Sequence, residues 1–203
     1  MKNAIQYVCA AVLGLFLVGC VNLDPTPDPT RHFTLAALAV GKTNPNIKPN
    51  AGLAVVVDPV IVPFYLKRSH LVLRKNADEL LFAEYDRWAE PVEKGIARAV
   101  TENLTAIFHS RFIRTSEQSG TRADAKRLSI NVVEFTTSEK GEAHFVVETK
   151  LLNSTGNVLS ASRTRLTTPA QSETVDVQLS VAALSDVVYQ YSQQLAAMLQ
   201  QFN

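Results

Sequence analysis

The chain has almost no sulfur chemistry available to it. Cys9 and Cys20 are its only cysteines among 203 residues. No disulfide framework can therefore hold it together, and stability has to come from burial. It also lacks a surplus of either charge, since 20 Lys and Arg face 19 Asp and Glu. That balance gives no global argument for nucleic-acid binding or for attraction to anionic lipid. Long apolar runs are missing except from Ile5 to Val18, which falls short of the roughly 20 residues that span a bilayer. There is no Gly-rich phosphate loop, no G-x-S-x-G elbow and no pair of His at metal spacing. The four histidines, His32, His70, His109 and His144, fall on different segments. No catalytic residue, metal or cofactor is expected.

What is present begins at the amino terminus. Lys2, the short apolar run and the small residues that end it make a secretory signal peptide. Its last residues, Leu17-Val18-Gly19-Cys20, resemble the bacterial lipobox. In that motif the chain is cut before the cysteine, and palmitate-type acyl chains are placed on the thiol and the new amino terminus. The expectation is a signal peptide over residues 1–19 and lipid attachment at Cys20. Loss of Lys2 would make the basic and acidic counts equal, and loss of Cys9 would leave no free thiol. Each buried CH₂ contributes about 0.8 kcal/mol, so several acyl chains together make release negligible. Residues 20–31, with Pro25, Pro27 and Pro29, read as an extended tether. At about 3.1 Å per residue it holds the following domain on the order of 30 Å from the lipid.

Residues 32–203 read as one domain. His32 to Leu35 predicts a first strand, and Leu53 to Val57 a strand buried on both faces. Asp58-Pro59 ends that strand, and Pro63 forbids a regular one beyond it. Leu71 to Arg74 and Leu80 to Ala83 predict a hairpin turning at Asn76-Ala77-Asp78. Pro91 suits the first position of a helix. Val92, Ile96, Val100, Leu104 and Phe108 then form its apolar stripe. Leu128, Ile130 and Val132 alternate, but Val133 and Phe135 continue one residue out of phase, which predicts a bulge near Val133. Turns at Lys140-Gly141-Glu142 and Asn153 to Asn157 complete an antiparallel meander, whose Ser-, Thr- and Arg-rich last strand suits an edge. A final helix is predicted from about Ser180 to Phe202, with its stripe running from Val181 to Phe202. The fold class is α/β: a mixed, largely antiparallel sheet packed with two long amphipathic helices in an α/β sandwich.

Glu84, Asp86 and Glu90 cluster near Trp88 and could imitate a general acid/base pair. The stronger reading places them at a helix entrance, where acids complement the helix dipole, with Arg68 and Arg74 as ion-pair partners. Two segments resist a purely structural reading: Pro59 to Leu66, apolar and bounded by proline, and Tyr85 to Pro91, which holds the one tryptophan. Either can be core or a docking loop, since Trp, Tyr and Arg dominate binding hot spots. Phe64 and Tyr65 are the candidate partner-binding residues. Trp88 joins them, though as the lead into a buried helix it suits a supporting core role better.

These same segments resemble the PqiC/YmbA family of ABC-type transport auxiliary lipoproteins. Its pattern P-V-x-x-P-x-Y-L-x-R is matched by Pro59-Val60, Pro63, Tyr65-Leu66 and Arg68, and its V-x-R strand by Val72 and Arg74. Trp88-Ala89-Glu90-Pro91 matches its helix entrance, and Glu102-Asn103-Leu104 closes the pattern. His32-Phe33-Thr34-Leu35 stands where the family often has Tyr-Tyr-x-Leu. The resemblance is specific over residues 53–104 and rests on element order beyond 125. It implies a non-enzymatic domain that faces the periplasm. Acylated Cys20 would anchor it in the outer-membrane lipid, and its partner would be a PqiB-like periplasmic MCE-domain protein in a lipid transport system. A homo-oligomer is left open. Val21 follows the cysteine, and the absence of aspartate there fits outer-membrane sorting. Two rival readings are a structural lipoprotein for another envelope complex and an enzyme with an unfamiliar site around Glu84, Asp86 and His70.

Overall fold

The computed structural model describes residues 27–37, 44–118, 120–170 and 176–202. The expected signal peptide and Cys20 lie outside the described residues. Among the described residues eight strands form one open sheet, packed with two α-helices. The strands are β1 (Arg31–Phe33), β2 (Val55–Val57), β3 (His70–Arg74), β4 (Leu80–Trp88), β5 (Ile113–Thr115), β6 (Lys126–Ser138), β7 (Ala143–Leu152) and β8 (Val158–Thr167). The helices are α1 (Val92–Phe108) and α2 (Val177–Gln201). The long ladders, β6 with β7 and β7 with β8, are antiparallel. The short pairs of β1 with β4 and of β2 with β5 and β6 are parallel. The expected mixed α/β sheet with two long helices is the fold.

β6 is the spine. On one side it pairs with β7 along its length, from Arg127 opposite Leu152 to Thr137 opposite Ala143. The register slips between Val132 and Glu134, so Val133 is the extra residue of a bulge and shifts the apolar phase as expected. Among the described residues β8 pairs with β7 alone and is an edge. Gly141 and Gly156 stand in the two meander turns with φ of 74° and 89°, a region that side chains with a Cβ rarely adopt.

Both helices lie on the same side of the sheet. An aromatic chain crosses the core there, with Trp88 stacked on Phe135, Phe135 edge-on to Phe145, and Phe145 edge-on to Tyr191 of α2. The hydroxyls of Thr149 and Tyr191 meet at 2.6 Å within that core. The helices are tied to each other where the Asn103 amide donates to Ser192 Oγ at 3.2 Å. β2 is buried on both faces as its composition predicted. Val55 and Val57 face the main core, and Val56 joins Ala54, Ala125 and Phe112 in a small second cluster.

Two expectations need correction, and one strand was not foreseen. Tyr85 to Trp88 is not a loop, because β4 runs on to Trp88 and pairs there with β1, while Trp88-Ala89-Glu90-Pro91 leads into α1 as expected. β5 went unpredicted, since three residues carry no readable period. The second helix starts at Val177, where the Asp176 carboxylate accepts from the Gln178 and Leu179 amides. That cap satisfies amides the helix itself cannot.

Candidate functional site

The proline-bounded segment is an interrupted strand. From Val55 to Arg74 the chain runs parallel to β6, first as β2, then through a bridge at Ile61 opposite Asn131, then as the end of β3. Ile61 donates to the Ile130 carbonyl and accepts from the Val132 amide. Pro59 and Pro63 have no amide hydrogen to continue such a ladder. Past Pro63 the chain leaves the sheet in one 3₁₀ turn, Phe64–Lys67, closed by the Leu66 amide on the Pro63 carbonyl at 3.0 Å.

That turn is pinned from below. Leu66 is buried in the main core and Tyr65 packs against it. Burial is the main cause that raises the Tyr65 phenol above its ordinary value; Glu134 adds to the rise and Arg74 opposes it. Phe64, by contrast, is 82% exposed. A large apolar ring is thereby presented to solvent from a rigid base. Lys67 and Arg68 follow on the same exposed stretch. The Arg68 guanidinium lies 4.8 Å from the centre of the Phe82 ring. Of the three residues singled out from sequence, Phe64 projects, Tyr65 is half-buried, and Trp88 lies in the core at 6% exposure.

The acidic trio does not converge. Asp86 pairs with Arg31 at 2.7 Å and Glu90 with Arg98 at 2.7 Å, while Glu84 hydrogen-bonds Tyr85 and raises its phenol. The expected partners act elsewhere. Arg74 pairs with Glu134 at 2.7 Å and also donates to the Ala77 carbonyl in the hairpin turn. Three clefts among the described residues are lined by neither Glu84, Asp86 nor His70. One cleft, of about 520 Å³, opens where α1 begins, beside the ends of β2 and β5. Val57, Pro59 and Ala97 form its apolar wall, and Glu93, Lys94 and Glu117 its charged rim. Lys94 and Glu117 approach within 3.4 Å across it. Among the described residues no group of three or more His, Cys, Asp or Glu could hold a metal ion.

Most residues of the sequence pattern have structural work. Arg98 donates to Glu90 and to the Leu35 carbonyl, tying α1 to the link that leads into it and to the segment just after β1. Val72 and Leu104 are core. Sequence reasoning missed the other exposed apolar residues, Ile61, Leu81, Phe82 and Tyr85. Leu80 to Ala83 reads as a hairpin strand with no sign of exposure, and among the described residues β1 covers β4 only from Asp86 to Trp88.

The family model for ABC-type transport auxiliary lipoprotein components matches residues 33–196. The chain belongs to that family. No curated protein matches the sequence. A crystal structure of a Xanthomonas campestris protein assigned to the DUF330 family model is similar at TM-score 0.69 and 17% identity, covering 85% of this chain and 97% of that one. The crystal structure of an uncharacterized protein is similar at TM-score 0.68 and 18% identity, covering 84% and 98%. At such identity these likenesses show the fold alone. The expected family is therefore the observed one.

Proposed function

We propose that this transport auxiliary lipoprotein is the outer-membrane end of an MCE-type lipid transport system. In this reading acylated Cys20 anchors the chain in the outer membrane, and the Pro-rich tether lets the domain reach into the periplasm. The domain docks a periplasmic MCE-domain protein and catalyses nothing. The observation that carries the reading is the contrast within the 3₁₀ turn, where Leu66 is buried at 2% exposure and Phe64 is exposed at 82%. Burial of Leu66 fixes the turn, so presenting Phe64 costs a partner little ordering entropy. A rigid exposed aromatic of this kind suits the centre of an interface. Phe64 also stands at a position the family pattern leaves unspecified, where a partner-specific side chain would be placed.

Phe64→Ala tests this. The variant should lose capture of the MCE-domain partner while its melting temperature stays within about 1 °C of the parent, as for an exposed residue away from core features. Tyr65→Ala should instead lower the melting temperature, because its ring packs on the core. Normal capture by the Phe64→Ala protein would move the dock elsewhere, with the exposed edge strand β8 next in line. Loss of capture together with unfolding would make Phe64 a structural residue.

A further inference from the structure

His32 and His70 are far apart in sequence, yet the sheet brings them to one register. His32 stands opposite Arg87 across the parallel β1/β4 pair, and His70 opposite Arg87 across the antiparallel β3/β4 pair. Register partners share a face, with Cβ atoms about 5 Å apart. Trp88, the next residue, points into the core toward Phe135, so Arg87 points away from the helices. The three side chains thus form a row across three strands on the helix-free face. Arg68 adds a further cation, since its guanidinium and the His70 ring both contact Phe82.

Two atoms of this row have no partner. Arg87 Nε and His70 Nδ1 are shut off from solvent and make no hydrogen bond. A buried guanidinium donor without an acceptor is costly, so this row favours an anion that can accept from it. The carboxylates facing the row are few. Asp28 lies close enough to feel Arg87 and His32, but its carboxyl is held low first by its bonds to Thr30. Asp86, on the opposite face of β4, is taken by Arg31. The near-neutral total charge conceals this local surplus.

The row also lies where the chain enters the domain. Asp28 is eight positions after Cys20, a span of about 25 Å if extended. We propose that Arg87, His32, His70 and Arg68 form a site for the phosphate of an anionic phospholipid headgroup, at the surface where the tether leaves the domain. The lipid half of this proposal rests on the reading of Cys20 as the anchor. The guanidiniums supply donors in the fork geometry that phosphate oxygens accept, and the imidazoles flank them. Bound there, a headgroup would hold the sheet against the bilayer and orient the domain.

The test uses protein matured behind an ordinary cleavable signal with Cys20→Ala, so that no acyl chain contributes. Flotation is measured at low ionic strength, where surface cations are little screened, with vesicles of equal parts phosphatidylglycerol and phosphatidylcholine, against pure phosphatidylcholine. The protein should float with the anionic vesicles. Arg87→Gln and Arg68→Gln should each reduce binding about fivefold, the loss of one cation at a membrane surface. Arg127→Gln, which removes a cation paired with Asp58, should change nothing. Arg68 and His32 are exposed, so Arg68→Gln and His32→Gln keep the test readable even if Arg87→Gln misfolds. Equal flotation of all these variants, or an equal loss with Arg127→Gln, would overturn the site. Inorganic phosphate is the second probe. If it shifts the His32 and His70 imidazole resonances while the vesicles do not bind, the ligand is free phosphate and the lipid assignment fails. Because the acyl chain is absent throughout, either failure leaves the anchor at Cys20 to be judged separately.

Discussion

Tyr191 offers the sharpest probe of how α2 is held on the sheet. It is 1% exposed, and its hydroxyl makes a 2.6 Å bond to Thr149 Oγ1 of β7. Tyr191→Phe strands the Thr149 hydroxyl in a dry core, and Thr149→Val strands the phenol. Each should cost about 1–3 kcal/mol, because a buried polar group left without its partner loses its full desolvation energy. The double variant removes both polar groups and should cost little more than either single one, giving a coupling of about 1–3 kcal/mol. In a domain of this size about 1 kcal/mol moves the melting temperature by roughly 2–4 °C. Calorimetry on the four proteins closes the cycle. The same residue makes an alkaline prediction. Burial is the main cause that holds the Tyr191 phenol far above its ordinary value of 10.0, against the smaller opposing effect of the Thr149 bond. The folded protein therefore keeps a proton that the unfolded chain releases. Stability is intact below about pH 10 and falls above it by about 1.4 kcal/mol per pH unit. Tyr191→Phe should remove that part of the slope. Strictly additive single costs, or an unchanged alkaline slope, would show that the phenol is not locked in the core.

Further outcomes follow from the same structure. Leu195→Ala, at a site 2% exposed, should lower stability by about 2–5 kcal/mol in denaturant titration; a loss under about 1 kcal/mol would mean that α2 is only loosely docked. Asp176→Ala removes both cap bonds of α2 and should cost about 1 kcal/mol, whereas Asp176→Asn should keep most of it. Cys20→Ala behind an ordinary cleavable signal should move the protein from the membrane pellet into the soluble periplasmic fraction at physiological salt. A pellet that survives high salt would reveal a second anchoring surface.

The sequence showed most clearly what is local or periodic. The slip at Val133, the spacing-four stripe of α1 and the exposed composition of β8 each declare themselves within a dozen residues, because burial of one face imposes a period. The end of β2 at Asp58-Pro59 was legible for a similar reason, since Pro59 and Pro63 can take only certain places in a sheet, but the bridge from Ile61 to Asn131 between them was not. What stayed hidden depends on distant partners. Asp86 to Trp88 is polar enough at its start to read as a loop, and its strand is completed by β1, which arrives from more than 50 residues away in sequence, and by β3 on its other side. The Arg31–Asp86 and Arg74–Glu134 pairs are of the same long-range kind. Phe64, Tyr65 and Leu66 could be named as a group, but their division into projecting, half-buried and core residues needed the geometry of a 3₁₀ turn. The row of His32, Arg87 and His70 was beyond reach, as it exists only in the register of three strands.

A photo-reactive amino acid at position 64 reports whether Phe64 meets an MCE-domain protein in the envelope. Phe64 touches little of its own fold, so the replacement should be tolerated at normal protein levels. Irradiated cells should yield one major cross-link from this lipoprotein to the MCE-domain partner, absent when the photo-reactive group is placed at Val158 on the exposed edge strand instead. A cross-link at position 64 to a different envelope protein, or no protein adduct at all while Val158 captures the MCE partner, would contradict that contact.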